Sequence, residues 1–369
     1  MVGPEPNLTP TSGTTRRWTM HFAALEHSRR DFIRAAGLGS AALLTSGLRP
    51  LSAAAYDPAD CRLMEFDVSY RTEIASLPRD AKDVQIWMPL PSSDHAQQIT
   101  GLDIVSPLPY DVTREARFGA KMLHVRAEPH SAPFAVEARY RVTRGQVGIQ
   151  PGSLPENERS KYLQLTNTVR TTPEIDMFTE EIVGGETDPY EIGRLVFDGI
   201  REILFYDSSI PGCGTGDTAW IMRHKRGKCD DYHALFMAMM VSRGVPVRWE
   251  QGFPLPYPEG GAAEGGQLEG DCTGAHCWTS FYAPDHGWVP VDVSEGDKLE
   301  SGGEFYFGRL SPNRFQVSVG RSVVLNPAQG GDPLSSFAFA YAESDGIPLI
   351  YALNYENIIK YTVGRVEMA

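Results

Sequence analysis

Three residues in this sequence could together break an amide bond. Cys229 stands in Arg226-Gly227-Lys228-Cys229-Asp230-Asp231-Tyr232, His276 in Ala275-His276-Cys277-Trp278, and Asp292 closes Gly287-Trp288-Val289-Pro290-Val291-Asp292. A cysteine supplies a nucleophile, a histidine a base, and a carboxylate holds the imidazole in one tautomer. The thiolate attacks, not the thiol, so the surroundings of Cys229 must favour an anion. Tyr232, Leu235, Phe236, Met239 and Met240 recur at helical spacing and Gly244 suits a helix end, which predicts a helix over residues 229–243. Cys229 then sits in the first turn. The N–H groups and dipole there favour a thiolate and can also stabilise a tetrahedral oxyanion. Asp230 and Asp231 suit the same turn but oppose thiolate formation.

Other elements must bring His276 and Asp292 to that turn. Residues 279–282 and 288–293 read as consecutive antiparallel strands joined by Pro284-Asp285-His286-Gly287. His276 begins the first and Asp292 lies on the second, so they can stand side by side at a sheet edge. His233, four residues after Cys229, shares its helical face and is a rival base. No carboxylate block accompanies it, so it is read as a supporting histidine. Trp278 and Trp288 read as core or cleft wall, and Trp220 could serve as an oxyanion donor. A further helix starts at Asp188-Pro189-Tyr190-Glu191, with Asp188 as cap and Glu191 completing a capping box. Its predicted buried face is Ile192, Leu195, Val196, Gly199, Ile200 and Ile203. Pro211 to Gly216 is a loop without the Gly-Lys-Ser/Thr of a phosphate loop. Before all this, residues 61–145 read as β structure. Met64, Phe66, Val68 and Tyr70 alternate with polar residues, as do Val84, Ile86 and Met88, and then the run from Phe134 to Val142.

Taken together with Gly244-Val245-Pro246-Val247-Arg248 and Gly252-Phe253, the three blocks resemble the transglutaminase-like superfamily, and within it the bacterial members, over residues 190–300. The resemblance implies an α+β, papain-like core with Cys229 on the helix and His276 and Asp292 on strands. It also implies acyl transfer through a Cys229 thioester, with His276 as base and then acid and Asp292 orienting it. Water as acceptor gives hydrolysis of peptide or amide bonds, the first reading. An amine acceptor gives Gln cross-linking, and a catalytically silent envelope binding module is the third alternative. Peptide N-glycanases carry Cys-x-x-Cys zinc modules, which this sequence lacks. Animal cross-linkers bind calcium and have later β domains that the tail is too short to supply. The expected organisation is a signal segment (1–55), an N-terminal β-sandwich (56–149), a linker (150–187), the core (188–300) and a β-rich extension of the core (301–369). A protein or peptide substrate is expected, with no cofactor and no metal.

The formal charge of −13 argues against nucleic acid or anionic lipid as partner, the more so because removing residues 1–55 makes it −16. No acidic run has calcium-loop spacing. Ser28-Arg29-Arg30-Asp31-Phe32-Ile33 resembles a twin-arginine export signal. The apolar stretch 35–48 is too short to span a membrane, and Ala53-Ala54-Ala55 offers a cleavage point before Tyr56. Met20 is an alternative start. The expectation is a periplasmic or secreted protein with no stable membrane insertion. Of the five cysteines, 61, 213, 229, 272 and 277, an odd one must remain free, and Cys213 and Cys272 could form a bridge. The absence of a Cys-x-x-Cys pair argues against structural zinc.

Overall fold

In the strand Cys61–Ile74, Met64, Phe66, Val68 and Tyr70 are buried while the residues between them reach the surface. This is the alternation of a half-buried strand, and it sets the architecture of the first third of the chain. A computed structural model describes residues 57–128, 132–256, 269–299 and 302–369. The twin-arginine segment and most of the Gly-rich stretch 259–270 lie outside the described residues.

Six strands come first: β1 (Cys61–Ile74), β2 (Val84–Leu90), β3 (Gln97–Val105), β4 (Tyr110–Arg114), β5 (Lys121–Ala127) and β6 (Phe134–Gly145). Helices α1 (Pro173–Val183) and α2 (Pro189–Ile203) follow, then β7 (Phe205–Tyr206), α3 (Thr218–His224), β8 (Arg226–Gly227) and α4 (Cys229–Ser242). Next come β9 (Val247–Pro254), β10 (Glu269–Asp271), β11 (His276–Ala283), β12 (Gly287–Val291) and α5 (Val293–Lys298). The tail supplies β13 (Arg314–Val319), β14 (Tyr341–Ser344), β15 (Ile347–Pro348) and β16 (Tyr355–Met368).

Two five-stranded antiparallel sheets, ordered β10-β16-β1-β6-β3 and β15-β14-β2-β5-β4, share one apolar core. Phe66, Val68, Ile86, Met88, Val125 and Val142 fill it. A third sheet, β12-β11-β9-β13, carries α4 on one face. Eleven of the fourteen residues of α4 are buried, so it has no solvent stripe and runs as a central helix. The sheets are not independent. Phe315 on β13 and Phe253 on β9 enter the first core, with Phe315 ring centres 5.8 Å from Phe66 and 6.1 Å from Tyr140.

Gly252 makes the approach of β13 to β9 possible. A Cβ there would lie 1.8 Å from the carbonyl oxygen of Phe315, which is backbone and cannot yield.

Three local expectations change. The stretch 150–187, expected as a linker, contains α1. Thr172 caps α1 by accepting from the Ile175 N–H at 3.3 Å, and Pro173 takes the first helical position. At α2, Asp188 does cap, accepting from Tyr190 at 2.9 Å, but its own N–H goes to Glu186 and not to Glu191. Leu195, on the expected buried face, is exposed. The tail, expected to extend the core, does so through Phe305 to Leu310 and through β13. Strands β14 to β16 complete the two N-terminal sheets, with Cys61 opposite Met368 and Ile74 opposite Tyr355. The catalytic-type core is therefore an insertion between strands of a sandwich. Among the described residues, no helix is long and apolar enough to cross a membrane.

Candidate active site

Cys229 opens α4, as the sequence predicts. Asp231 shapes this helix start. Its Oδ2 accepts from the Lys228 N–H at 2.8 Å, closing the back half of a capping box. Its Oδ1 accepts from the N–H groups of Thr215 and Gly216, at 2.8 and 2.9 Å, tying the 211–216 loop to the helix. A Cβ at Gly214 would meet Asp231 at 2.2 Å, and Gly214 also has φ of 125°, so glycine is required twice over. Asp230 is paired with the buried Arg321, which offsets the charge it brings near the thiol.

His276 begins β11, opposite Gly252 of β9. Asp292 is not on the neighbouring strand. β12 ends at Val291, and Asp292 is the N-cap of α5, where Oδ1 accepts from the Glu295 N–H at 3.0 Å. The expected strand ends two residues early because the capping bond turns the chain into a helix. The other oxygen, Oδ2, accepts from His276 Nε2 at 2.7 Å. That leaves Nδ1 of His276 for Cys229, which lines the same cleft and whose charge helps to raise the His276 pKa. The three residues singled out in the sequence thus meet. Cys229 and His276 line a cleft of about 320 Å³, whose walls also include Cys213, Lys228, Glu295 and Lys298.

The electrostatics favour an ion pair. Hydrogen bonds from the thiols of Cys213 and Cys277 hold Cys229 well below the ordinary thiol range, against burial, with His276 adding to the effect. Burial works against a charged His276. The charge and hydrogen bond of Asp292, with Cys229 beside it, outweigh that and raise its pKa to about 9. Burial also opposes the Asp292 carboxylate, yet His276 and Arg314 keep it ionised, well below the usual range.

Sequence reasoning missed Arg314. It opens β13, is buried, and donates from Nη1 to Asp292 Oδ2 at 2.6 Å, the same oxygen that His276 uses. Its guanidinium lies 5.1 Å from the Trp278 ring centre, and Trp278 is fixed in turn by its indole N–H on Glu250 at 2.8 Å. Trp278 is therefore core that orients Arg314. Trp220 stacks on His224, away from the cleft lining, and is no oxyanion donor.

His233 has a different task. Its Nε2 accepts the Val293 N–H at 3.1 Å, so Nδ1 carries the proton and donates to the Cys229 carbonyl at 2.7 Å. Burial lowers its pKa. The 3.5 Å approach of Nε2 to Asp292 is consequently a contact with a neutral ring and not a salt bridge. His233 links the start of α4 to the start of α5.

All five cysteines are free thiols. Cys272 packs into the sandwich core while Cys213 lies in the cleft, so the bridge considered between them is absent. Among the described residues, no group of three or more His, Cys, Asp or Glu could hold a metal ion.

Comparison with known proteins speaks to the fold that carries this cleft. Residues 176–293 match the family model of the transglutaminase-like superfamily. An uncharacterized protein of Haemophilus influenzae is 25% identical over 327 residues, covering 79% of this chain and 88% of that one. The uncharacterized protein YebA of Bacillus subtilis is 26% identical over 152 residues, 40% of this chain and 18% of YebA. The crystal structure of a candidate cysteine protease from Cytophaga hutchinsonii superposes with a TM-score of 0.50 at 11% identity, covering 83% of this chain and 90% of that one. The core has the transglutaminase-like, papain-like fold, preceded by a sheet-rich N-terminal region.

Proposed function

We propose that this transglutaminase-like core belongs to an exported cysteine-dependent enzyme that hydrolyses peptide or amide bonds. The observation that carries the reading is the line Cys229–His276–Asp292, which starts in the cleft and ends on a buried carboxylate. The Cys229 thiolate attacks the amide carbonyl. The oxyanion forms beside the first turn of α4, where the Cys229 N–H lacks an intrahelical acceptor while the Asp230 N–H is taken by the Cys213 carbonyl. Imidazolium Nδ1–H of His276 protonates the departing amine, leaving a thioester. His276 then takes a proton from water, whose attack releases the acid and restores the thiolate. Asp292 keeps the ring in register and stays ionised throughout. Export rests on the twin arginines and the apolar stretch after them.

The test is iodoacetamide alkylation of Cys229 between pH 5 and 9, with His276→Ala alongside, followed by peptide cleavage with and without a fluorescent primary amine. An alkylation pKa below the roughly 8.5 of a free thiol, lost in the variant, is expected, with cleavage and no amine incorporation. An inert Cys229 would overturn the enzyme reading. Amine incorporation would replace hydrolysis with cross-linking.

A further inference from the structure

Cys213 is a second sulfur in the cleft, and the mechanism above does not use it. It sits in the 211–216 loop between Gly212 and Gly214, which both have positive φ, 62° and 125°. The loop is held on α4, because the Cys213 carbonyl accepts the Asp230 N–H at 3.1 Å. Cys229 Sγ lies 3.8 Å from that same carbonyl oxygen, and the Cys213 thiol donates to the Ala275 carbonyl at 3.6 Å across the cleft. Cys213 is half-buried and lines the cleft, whereas Cys277, the other sulfur on Cys229, does not line it. Cys277 is also fixed within β11, with its Sγ 3.7 Å from His233 Nδ1. Of the two neighbours, Cys213 is thus the one that lines the cleft and is carried on a loop and not within a strand.

We propose that Cys213 and Cys229 form a redox modification site, in which a peroxide entering the cleft oxidises Cys229 and Cys213 captures it as a reversible disulfide. The inference rests on the reading of Cys229 as a reactive thiolate. In the first step the thiolate attacks a peroxide oxygen. The O–O bond breaks, hydroxide leaves, and sulfur is oxidised to the sulfenic acid. In the second step the Cys213 sulfur attacks the Cys229 sulfur. The S–O bond breaks, the Cys213 proton leaves with the hydroxyl as water, and the disulfide forms. A dithiol reverses it by exchange, its own sulfurs ending as a disulfide. Without Cys213 the sulfenic acid meets a second peroxide and passes irreversibly to the sulfinic acid. The arrangement therefore exchanges permanent loss of the nucleophile for temporary inactivation.

The experiment treats the full chain and Cys213→Ser with hydrogen peroxide at neutral pH, then measures iodoacetamide labelling of Cys229 before and after dithiothreitol, with peptide mass mapping. The wild type is expected to lose labelling, yield a cross-linked 213–229 peptide, and regain labelling fully with dithiothreitol. Cys213→Ser, whose hydroxyl still offers the Ala275 carbonyl a donor, is expected to lose labelling and not regain it, with Cys229 found as sulfinic acid. Sulfinic acid in both proteins, from a Cys229 that labels before oxidation, would overturn the proposal and leave the enzyme reading standing. A Cys229 inert to both reagents in both proteins would overturn the two together.

Discussion

Replacing Arg314 by Met should raise the pKa of His276. Asp292 Oδ2 accepts from His276 at 2.7 Å and from Arg314 at 2.6 Å, so the two donor atoms lie about 5 Å apart or closer. At an effective dielectric of about 20, two unit charges at that distance repel by ~3 kcal/mol, equivalent to ~2 pK units. Spreading of charge over the guanidinium reduces this to roughly one to two units. The sign follows from which form is disfavoured. Arg314⁺ repels the imidazolium and not the neutral ring, so its removal favours the charged form and moves the pKa upward from about 9. Methionine is neutral, similar in length, and can rest its sulfur against Trp278. The assay is a ring-proton NMR titration of the histidines, nine in the chain, with His276→Gln identifying the signal. A pKa that stays put, or falls toward the ordinary 6.5, would refute the electrostatic argument. A fall would mean that Arg314 acts by holding Asp292 in place.

Three further outcomes follow from the same contacts. Asp292→Asn keeps a competent cap for α5 but removes the charge that holds His276, so turnover should drop by about 10⁴ as in other triads, read from kcat on any cleaved peptide; wild-type turnover would remove Asp292 from the mechanism. His233→Ala should lower stability by about 2–4 kcal/mol in urea unfolding, through a lost pair of hydrogen bonds and a cavity, while Cys229 alkylation keeps its dependence on His276. If alkylation instead collapsed as in His276→Ala, His233 would be the base. Gly252→Ala forces a Cβ into the Phe315 carbonyl and should remove more than ~4 kcal/mol of stability; a soluble protein with an unchanged urea midpoint would show that β13 can move away.

What the sequence revealed depended on whether a residue's role is local. Cys229 is followed at once by the apolar spacing that makes α4, and the cysteine's place in the first turn is read from its own neighbours. His276 and Asp292 lie sixteen residues apart across one hairpin, so their meeting needs only that hairpin to form. Arg314 carried no such signal. It is one arginine in a tail without strong periodicity, and its contact with Asp292 exists only because β13 crosses to pair with β9. The same holds for the last strand. Ile359 and Tyr361 are buried in alternation, but nothing in their spacing says that the partner is β1, at the far end of the described chain. In α1, the Thr172-Pro173 cap was a readable signal obscured by the polar residues around it.

The pairing of β1 with β16 bears on the order in which the protein can be assembled. A chain emerging from the ribosome delivers β1 well before the strand that flanks it, with the whole core made in between. Until Tyr355–Met368 appears, β1 has β6 on one side and an open row of N–H and C=O groups on the other. Closing that gap joins residues at nearly the greatest separation the described chain allows, a slow and entropically demanding step. Phe315 and Phe253 seat the sheet bearing His276 and Arg314 in the core that this strand completes. The nascent chain therefore holds its thiol in an unfinished frame until Tyr355–Met368 has been made and has docked against β1.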